Sequence, residues 1–249
     1  MNKFAAMSAV TLLLSAAAAQ ATPTIITQWN FDLPTGVNNN PAPSIGTGFA
    51  TPVGMNNDAN NADILNNPGS SDPGPNGRAW RVRGSVNNGW SGTTQLLSGA
   101  QFSASTETFE NIVVSFDLFA TDGSPRHGQF QYTLNGTDFV SFGPILDFNP
   151  GDAWFSFTYD LSAIAGVADN PNFGFKVVSA FSPVEFTNNN GLQPANTAFQ
   201  RANAGLQVYT GASGNWRFDM VTFSGTLIPT PSAVALLGLG GLLASRRRR

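Results

Sequence analysis

In Gln129-Phe130-Gln131-Tyr132-Thr133-Leu134 every second residue is large and apolar, and this period of two returns along the chain. Alternation of that kind turns one side of an extended segment to a core and the other to water, so it specifies half-buried strands. Ile112, Val114, Phe116 and Leu118 share one face, with Ser115 and Asp117 opposite. Phe155, Phe157, Tyr159 and Leu161 repeat the pattern, as do Phe173, Phe175 and Val177 after the Asn170-Pro171-Asn172 turn. Further strands are expected at 25–31, 78–83, 93–102, 138–142, 206–210 and 216–223. Asn135-Gly136 is a strong hairpin signal, because a type I′ turn needs positive φ at both central residues. No body segment carries a convincing helical period, and only 161–167 could form a turn or two of helix. Short strands at hairpin spacing predict an all-β, antiparallel sandwich of two sheets. Two stretches, 34–77 and 182–203, are rich in Asn, Pro and Gly and read as long loops, which are commonly functional or disordered.

The two ends read differently from the body. Lys3 precedes an uncharged apolar run from Phe4 to Ala19, and Ala19-Gln20-Ala21 fits a small-x-small cleavage site. This is the pattern of a signal peptide cut after Ala21 by signal peptidase. At the other end Pro229-Thr230-Pro231 leads into an uncharged run from Ser232 to Ser245, closed by Arg246, Arg247, Arg248 and Arg249. As a helix that run is short for a bilayer, at ~1.5 Å per residue against a ~30 Å core. Arginine side chains extend such a span by snorkelling and stay on the cytoplasmic side. Between the ends, residues 22–228 hold seven basic and fifteen acidic residues, a net charge of −8 against −3 for the whole chain. An acidic body argues against nucleic acid as a partner. There is no Cys, so no disulfide is available, but a body of this length can bury an adequate core.

Catalytic groups are sparse. His127 is the only His, it lies between two strands, and an exposed loop or edge position is the simplest expectation for it. One His without Cys cannot build a zinc site. A pair of carboxylates for glycoside hydrolysis has no sequence signature of its own. Asp219, by alternation, shares a face with Val221 and Phe223, and a carboxylate there needs a partner. Arg217, a hard cation such as calcium, or simple exposure would each answer that need. Trp80, Trp90 and Trp154 are candidates for stacking on sugar rings, with Trp90 in Asn88-Gly89-Trp90-Ser91-Gly92 expected to be the most exposed. Asn135-Gly136-Thr137 also fits the N-glycosylation pattern, which the hairpin turn explains more simply.

The order of Pro motif, short apolar helix and terminal arginines resembles the PEP-CTERM sorting domain, with Thr230 where that family has Glu. The resemblance implies processing by an exosortase-like membrane protease near the Pro motif, and transient anchoring through the tail. The body, in its 110–142 and 157–181 stretches and in Trp216-Arg217-Phe218-Asp219, resembles the ectodomains of PEP-CTERM proteins. More distantly it is similar to jelly-roll carbohydrate-binding modules. Those open on a strand ending in an acid (here Asn30-Phe31-Asp32), continue with a Gly-led strand (here Gly77-Arg78-Ala79-Trp80-Arg81-Val82), and close on an Asp-bearing strand (here Phe218-Asp219). The resemblance implies an antiparallel jelly-roll β-sandwich and a structural calcium site at Asp32 and Asp219. The modules usually have Glu at the first position and a second Asp where this chain has Met220.

The resulting expectation has three parts: a signal peptide at 1–21, a sandwich ectodomain at 22–227 and a sorting tail at 228–249. The leading function is an exported, exosortase-sorted surface or matrix protein without catalysis. A calcium-stabilised carbohydrate-binding module, with Trp90 on an extracellular polysaccharide, is the first alternative. A polysaccharide hydrolase is the second.

Overall fold

The computed structural model describes residues 22–55, 62–65, 71–72, 77–83, 89–203 and 205–229. The signal segment and the tail from Thr230 onward, with Ala19, Ala21, Pro231 and the terminal arginines, lie outside the described residues. The body is all-β: β1 (Thr24–Trp29), β2 (Gly36–Val37), β3 (Phe49–Val53), β4 (Ala62–Leu65), β5 (Ala79–Arg83), β6 (Gly99–Ser103), β7 (Phe109–Ala120) and β8 (His127–Thr133). They are followed by β9 (Phe139–Ser141), β10 (Leu146–Asp147), β11 (Ala153–Asp160), β12 (Gly174–Ala180), β13 (Phe186–Asn188), β14 (Gly191–Gln193) and β15 (Asn215–Leu227).

Two antiparallel sheets form the sandwich expected of a jelly roll. The first runs β11-β7-β15-β5-β4-β2, with β1 paired to the second half of β15. The second runs β10-β8-β12-β6-β3, with β9 beside β8, and β13-β14 make a separate hairpin. Of the predicted inward residues, Ile112, Val114, Phe116, Leu118, Phe130, Tyr159, Leu161, Phe173, Phe175 and Val177 are buried, Tyr132, Phe155 and Phe157 are partly buried, and Leu134 is exposed.

Aromatic rings weld the two sheets. Phe102 of β6 meets Trp29 at 5.6 Å, Trp80 at 5.7 Å and Phe218 at 5.5 Å, all from the opposite sheet. It also stacks on Phe175 of its own sheet at 5.2 Å. Buried indole N–H groups need acceptors, and loop carbonyls supply them. Trp29 Nε1 donates to Pro41 O, Trp80 Nε1 to Asn38 O and Trp216 Nε1 to Pro125 O. The core therefore also holds the loops.

Several expectations are corrected. The 34–77 stretch carries β2, β3 and β4, and 182–203 carries the β13-β14 hairpin. The expected strand at 93–102 begins only at Gly99, and 206–210 is not a strand. Residues 161–167 form consecutive turns, with Ile164 N–H donating to Leu161 O and Val167 N–H to Ile164 O. The β8–β9 connection is not a two-residue turn, since Thr133 pairs with Phe139. Gly136 has φ 82°, Asn135 is not in the left-handed region, and Asn135 Oδ1 instead accepts from Thr137 N–H and Asp138 N–H.

The most consequential correction concerns β15. Met220 has φ 47°, and the register with β7 slips between Asp219 and Thr222. This bulge inserts one residue and resets the alternation. Trp216 and Phe218 point into the core before it, and Val221 and Phe223 do so after it. Asp219 therefore does not share a face with Val221 and Phe223. It lies with Arg217 on the outer side of the first sheet.

Truncating Phe102 removes the ring that three strands of the facing sheet rest on. Phe102→Ala is expected to lower unfolding free energy by about 3–5 kcal/mol, read as a shifted urea midpoint.

Candidate functional site

Because Ala50, Ala100, Phe102, Phe130, Phe175 and Val177 face the core, their strand neighbours occupy the outer face of the second sheet. Register aligns them in rows. Thr51 pairs with Gln101, Gln101 with Lys176, Lys176 with Gln131, and Gln131 with Ser141. One row thus crosses five strands with hydroxyl, amide, ammonium, amide and hydroxyl. The adjacent row reads Phe49, Ser103, Gly174, Thr133 and Phe139. Four strand spacings of ~4.8 Å put its two aromatic ends about 19 Å apart.

The rows are organised before any ligand arrives. Lys176 Nζ lies 4.2 Å over the Phe139 ring, and partial burial lowers its pKa from the ordinary value. Gln131 Nε2 donates to Ser141 Oγ at 3.0 Å, and Gln101 Nε2 to Ser103 Oγ at 3.4 Å. Among the described residues nothing donates to the amide oxygens of Gln101 or Gln131. Gly174 sits at the centre of its row because a Cβ there would come within 2.7 Å of Ser103 Oγ. Phe49 is 50% exposed. With Ser103 and Asn172 it also borders a cavity of about 300 Å³ at the edge of the sheet.

The residues singled out in the sequence lie elsewhere. Trp90 is 2% exposed, donates its indole N–H to Gly214 O at 3.1 Å and packs on Trp216 at 4.7 Å. It is a core residue and offers no ring face to a ligand, which corrects the expectation of exposure. Trp80 is likewise core, and Trp154 packs edge-on against Phe119 at 5.5 Å. Asp32 is exposed and bonded to Asn30 at 3.0 Å. Asp219 is fully buried and accepts from Ser71 N–H at 2.8 Å, the Ser71 hydroxyl at 3.3 Å and Met220 N–H at 2.8 Å. Its buried carboxylate is thus met by protein donors. No group of three or more His, Asp or Glu stands together among the described residues.

His127 is not an exposed loop residue. It begins β8, is 3% exposed, and approaches Leu146 O at 3.3 Å and Gln200 Oε1 at 3.4 Å. Burial, chiefly, pulls its pKa below 6.5. Beside it Arg126 Nε donates to Asp147 Oδ1 at 2.7 Å, and this bond holds the Asp147 carboxyl below its ordinary 3.8.

Among the solved structures that align with this chain are carbohydrate-binding modules and an adhesin domain. The CBM22-1 xylan-binding domain of Paenibacillus barcinonensis Xyn10C aligns with 85% of this chain and 100% of its own, at 10% identity and a TM-score of 0.40. A family 11 carbohydrate-binding module from Clostridium thermocellum, in complex with a mixed-linked tetrasaccharide, aligns with 83% of this chain and 100% of its own, at 12% identity and 0.38. The cleaved adhesin domain of Lys-gingipain from Porphyromonas gingivalis aligns with 73% of this chain and 99% of its own, at 13% identity and 0.38. Likeness at this level sets no residue correspondence. No protein-family model and no curated protein matches the chain.

The His127 and Asp147 shifts set a pH dependence. The folded state keeps His127 neutral below 6.5, where the unfolded chain takes up a proton, so stability falls as pH drops through that window. Asp147 adds a second loss below 3.8. Thermal denaturation is expected to show a falling Tm from about pH 7 to 5, and His127→Gln is expected to remove that slope.

Proposed function

We propose that this chain is an exported, surface-held polysaccharide-binding sandwich without catalytic activity, and that the outer face of its second sheet is the binding surface. The observation that carries the reading is the row Thr51, Gln101, Lys176, Gln131 and Ser141, in register across five strands. Sugar hydroxyls both donate and accept, and amides, hydroxyls and one ammonium answer both roles. Phe49, half exposed, supplies an apolar face at one end of the neighbouring row, suited to the C–H side of a sugar ring, while the Phe139 ring at the other end holds Lys176 in place. A span of about 19 Å, from the ~4.8 Å strand spacing, favours an extended polymer over a single ring. Neither row carries a carboxylate, whereas glycoside hydrolysis ordinarily uses two. Export and sorting are proposed from the two ends of the sequence, with signal peptidase and an exosortase-like protease as processing partners.

Affinity electrophoresis of the purified protein against neutral polymers (xylan, mannan and mixed-linked β-glucan) tests the reading. Retardation by at least one polymer is expected. Phe49→Ala and the double substitution Gln101→Ala with Lys176→Ala should each weaken it roughly tenfold or more while leaving the Tm near that of the parent. Because Asp219 is satisfied by protein donors, EDTA should leave binding unchanged; a loss with EDTA would return calcium to Asp32 and Asp219. Retardation that survives every substitution on this face would remove the proposed surface.

A further inference from the structure

The row Phe49, Ser103, Gly174, Thr133 and Phe139 does not end the outer face of the second sheet. Two positions beyond Phe49, Ser103 and Gly174 lie Thr47, Ser105 and Asn172, and all three border the cavity of about 300 Å³ beside Phe49. The pairing of β6 with β12 persists toward this level, since Ala104 N–H donates to Phe173 O at 3.1 Å. At ~3.4 Å per residue the cavity lies about 7 Å from the row, measured along the strands. A polymer laid across the strands therefore passes beside the cavity and not through it.

The backbone around the cavity is held by the fold. A Cβ on Gly48 would come within 2.6 Å of the Trp29 ring and 2.8 Å of Ser103 O, so the 47–49 segment lies flat against both. Thr47 O accepts from the Thr27 hydroxyl at 2.9 Å, and Asn172 N–H donates to Asn170 Oδ1 at 2.7 Å. Two side chains on this held backbone stay open. Thr47 and Asn172 are exposed, and neither the Thr47 hydroxyl nor the Asn172 side-chain amide makes a hydrogen bond among the described residues. Phe49 and Pro171 add exposed apolar surface. No residue lining the cavity is charged. The Ser105 hydroxyl is taken up by Glu107, to which it donates at 3.1 Å, and this puts a carboxylate just beyond the lining.

We infer that the sheet face takes a branched neutral polysaccharide, with the main chain along the rows and one side-branch sugar in this cavity, bonded to Thr47 and Asn172. The inference deepens the sheet-face reading and rests on it. Sugar hydroxyls donate and accept, and a threonine hydroxyl and a primary amide do both in return. The C–H side of the branch ring meets Phe49 and Pro171. At ~30 Å³ per water the cavity matches about ten waters, room for one ring and not for a polymer run. An acidic branch would meet Glu107 and no cation among the lining residues, so the branch that gains affinity is neutral.

Isothermal titration of the whole protein with linear xylo-, manno- and gluco-oligosaccharides, and with the same backbones carrying one arabinosyl, galactosyl or xylosyl branch, tests the assignment. On a backbone that binds, a neutral branch should raise affinity roughly fivefold or more. A xylo-oligosaccharide with a glucuronyl branch should gain nothing. Asn172→Ala and Thr47→Val should each bring the branched ligand close to the linear one, while linear affinity and Tm stay near those of the parent. Phe49→Ala should weaken both ligands, since that ring serves the row and the cavity. Linear backbones that bind with no gain from any neutral branch would overturn the inference and leave the sheet-face reading standing. A gain that survives Asn172→Ala combined with Thr47→Val, or an equal gain from the glucuronyl branch, would overturn it too. Binding of no backbone, linear or branched, would remove both readings.

Discussion

The contact of Phe102 with Trp29, Trp80 and Phe218 is the constraint on which the rest depends. With no cysteine in the chain, no disulfide can pin the two sheets together, and aromatic burial must do it. Each ring removes a large apolar area from water and adds edge-to-face attraction. The same rings carry indole N–H groups that cannot be left unpaired, so Pro41 O, Asn38 O and Pro125 O are drawn onto the core. Loop placement is thus a by-product of core satisfaction. This is how stretches poor in large apolar residues acquire order in a body of low charge.

Once the inner face is set, strand geometry leaves no freedom in the outer one. Successive side chains point to opposite faces, so burying Ala100, Phe102, Phe130, Phe175 and Val177 turns Gln101, Gln131 and Lys176 outward together. The binding row is a consequence of core parity plus register. The bulge at Met220 illustrates the same rule in reverse. One inserted residue lets both Phe218 and Val221 reach the core, and it consigns Asp219 to the other side.

That logic explains what could be read in advance. β7, β8, β11 and β12 were legible because each alternates over several residues, long enough for the period to declare itself. β2 and β4 were not, being two and four residues long inside an Asn-rich segment, where pairing with neighbouring strands supplies the order. Asp219 was misassigned because nothing about Met at 220 announces a left-handed residue. Trp90 was misjudged because its Gly and Ser neighbours suggest exposure, while its burial is decided by Gly214 and Trp216, distant in sequence. The sheet face was hidden for a related reason. Gln101, Gln131 and Lys176 are unremarkable singly, and only strand order puts them in one line.

The two outer faces differ in what they have left to offer. On the first sheet Arg81 and Asp219 are held by protein groups, and Arg217 only in part, its Nη1 being buried without a hydrogen bond. Arg81 Nε donates to Asp63 Oδ1 at 2.8 Å, and Asp219 is filled by Ser71 and Met220. Arg217 lies over the Phe119 ring at 4.9 Å, its pKa pushed down to about 10 by burial and by Arg81. At Arg81, Asp63 and Asp219 a neutral ligand would have to compete with bonds already made, and breaking a buried charged pair is costly. On the second sheet Gln101 and Gln131 keep open amide oxygens, and Lys176 leans on a ring and not on a carboxylate. Its hydrogen-bonding capacity is held in place but not consumed. That is the condition under which a neutral ligand gains affinity, since the groups are already ordered and binding has little side-chain entropy left to remove.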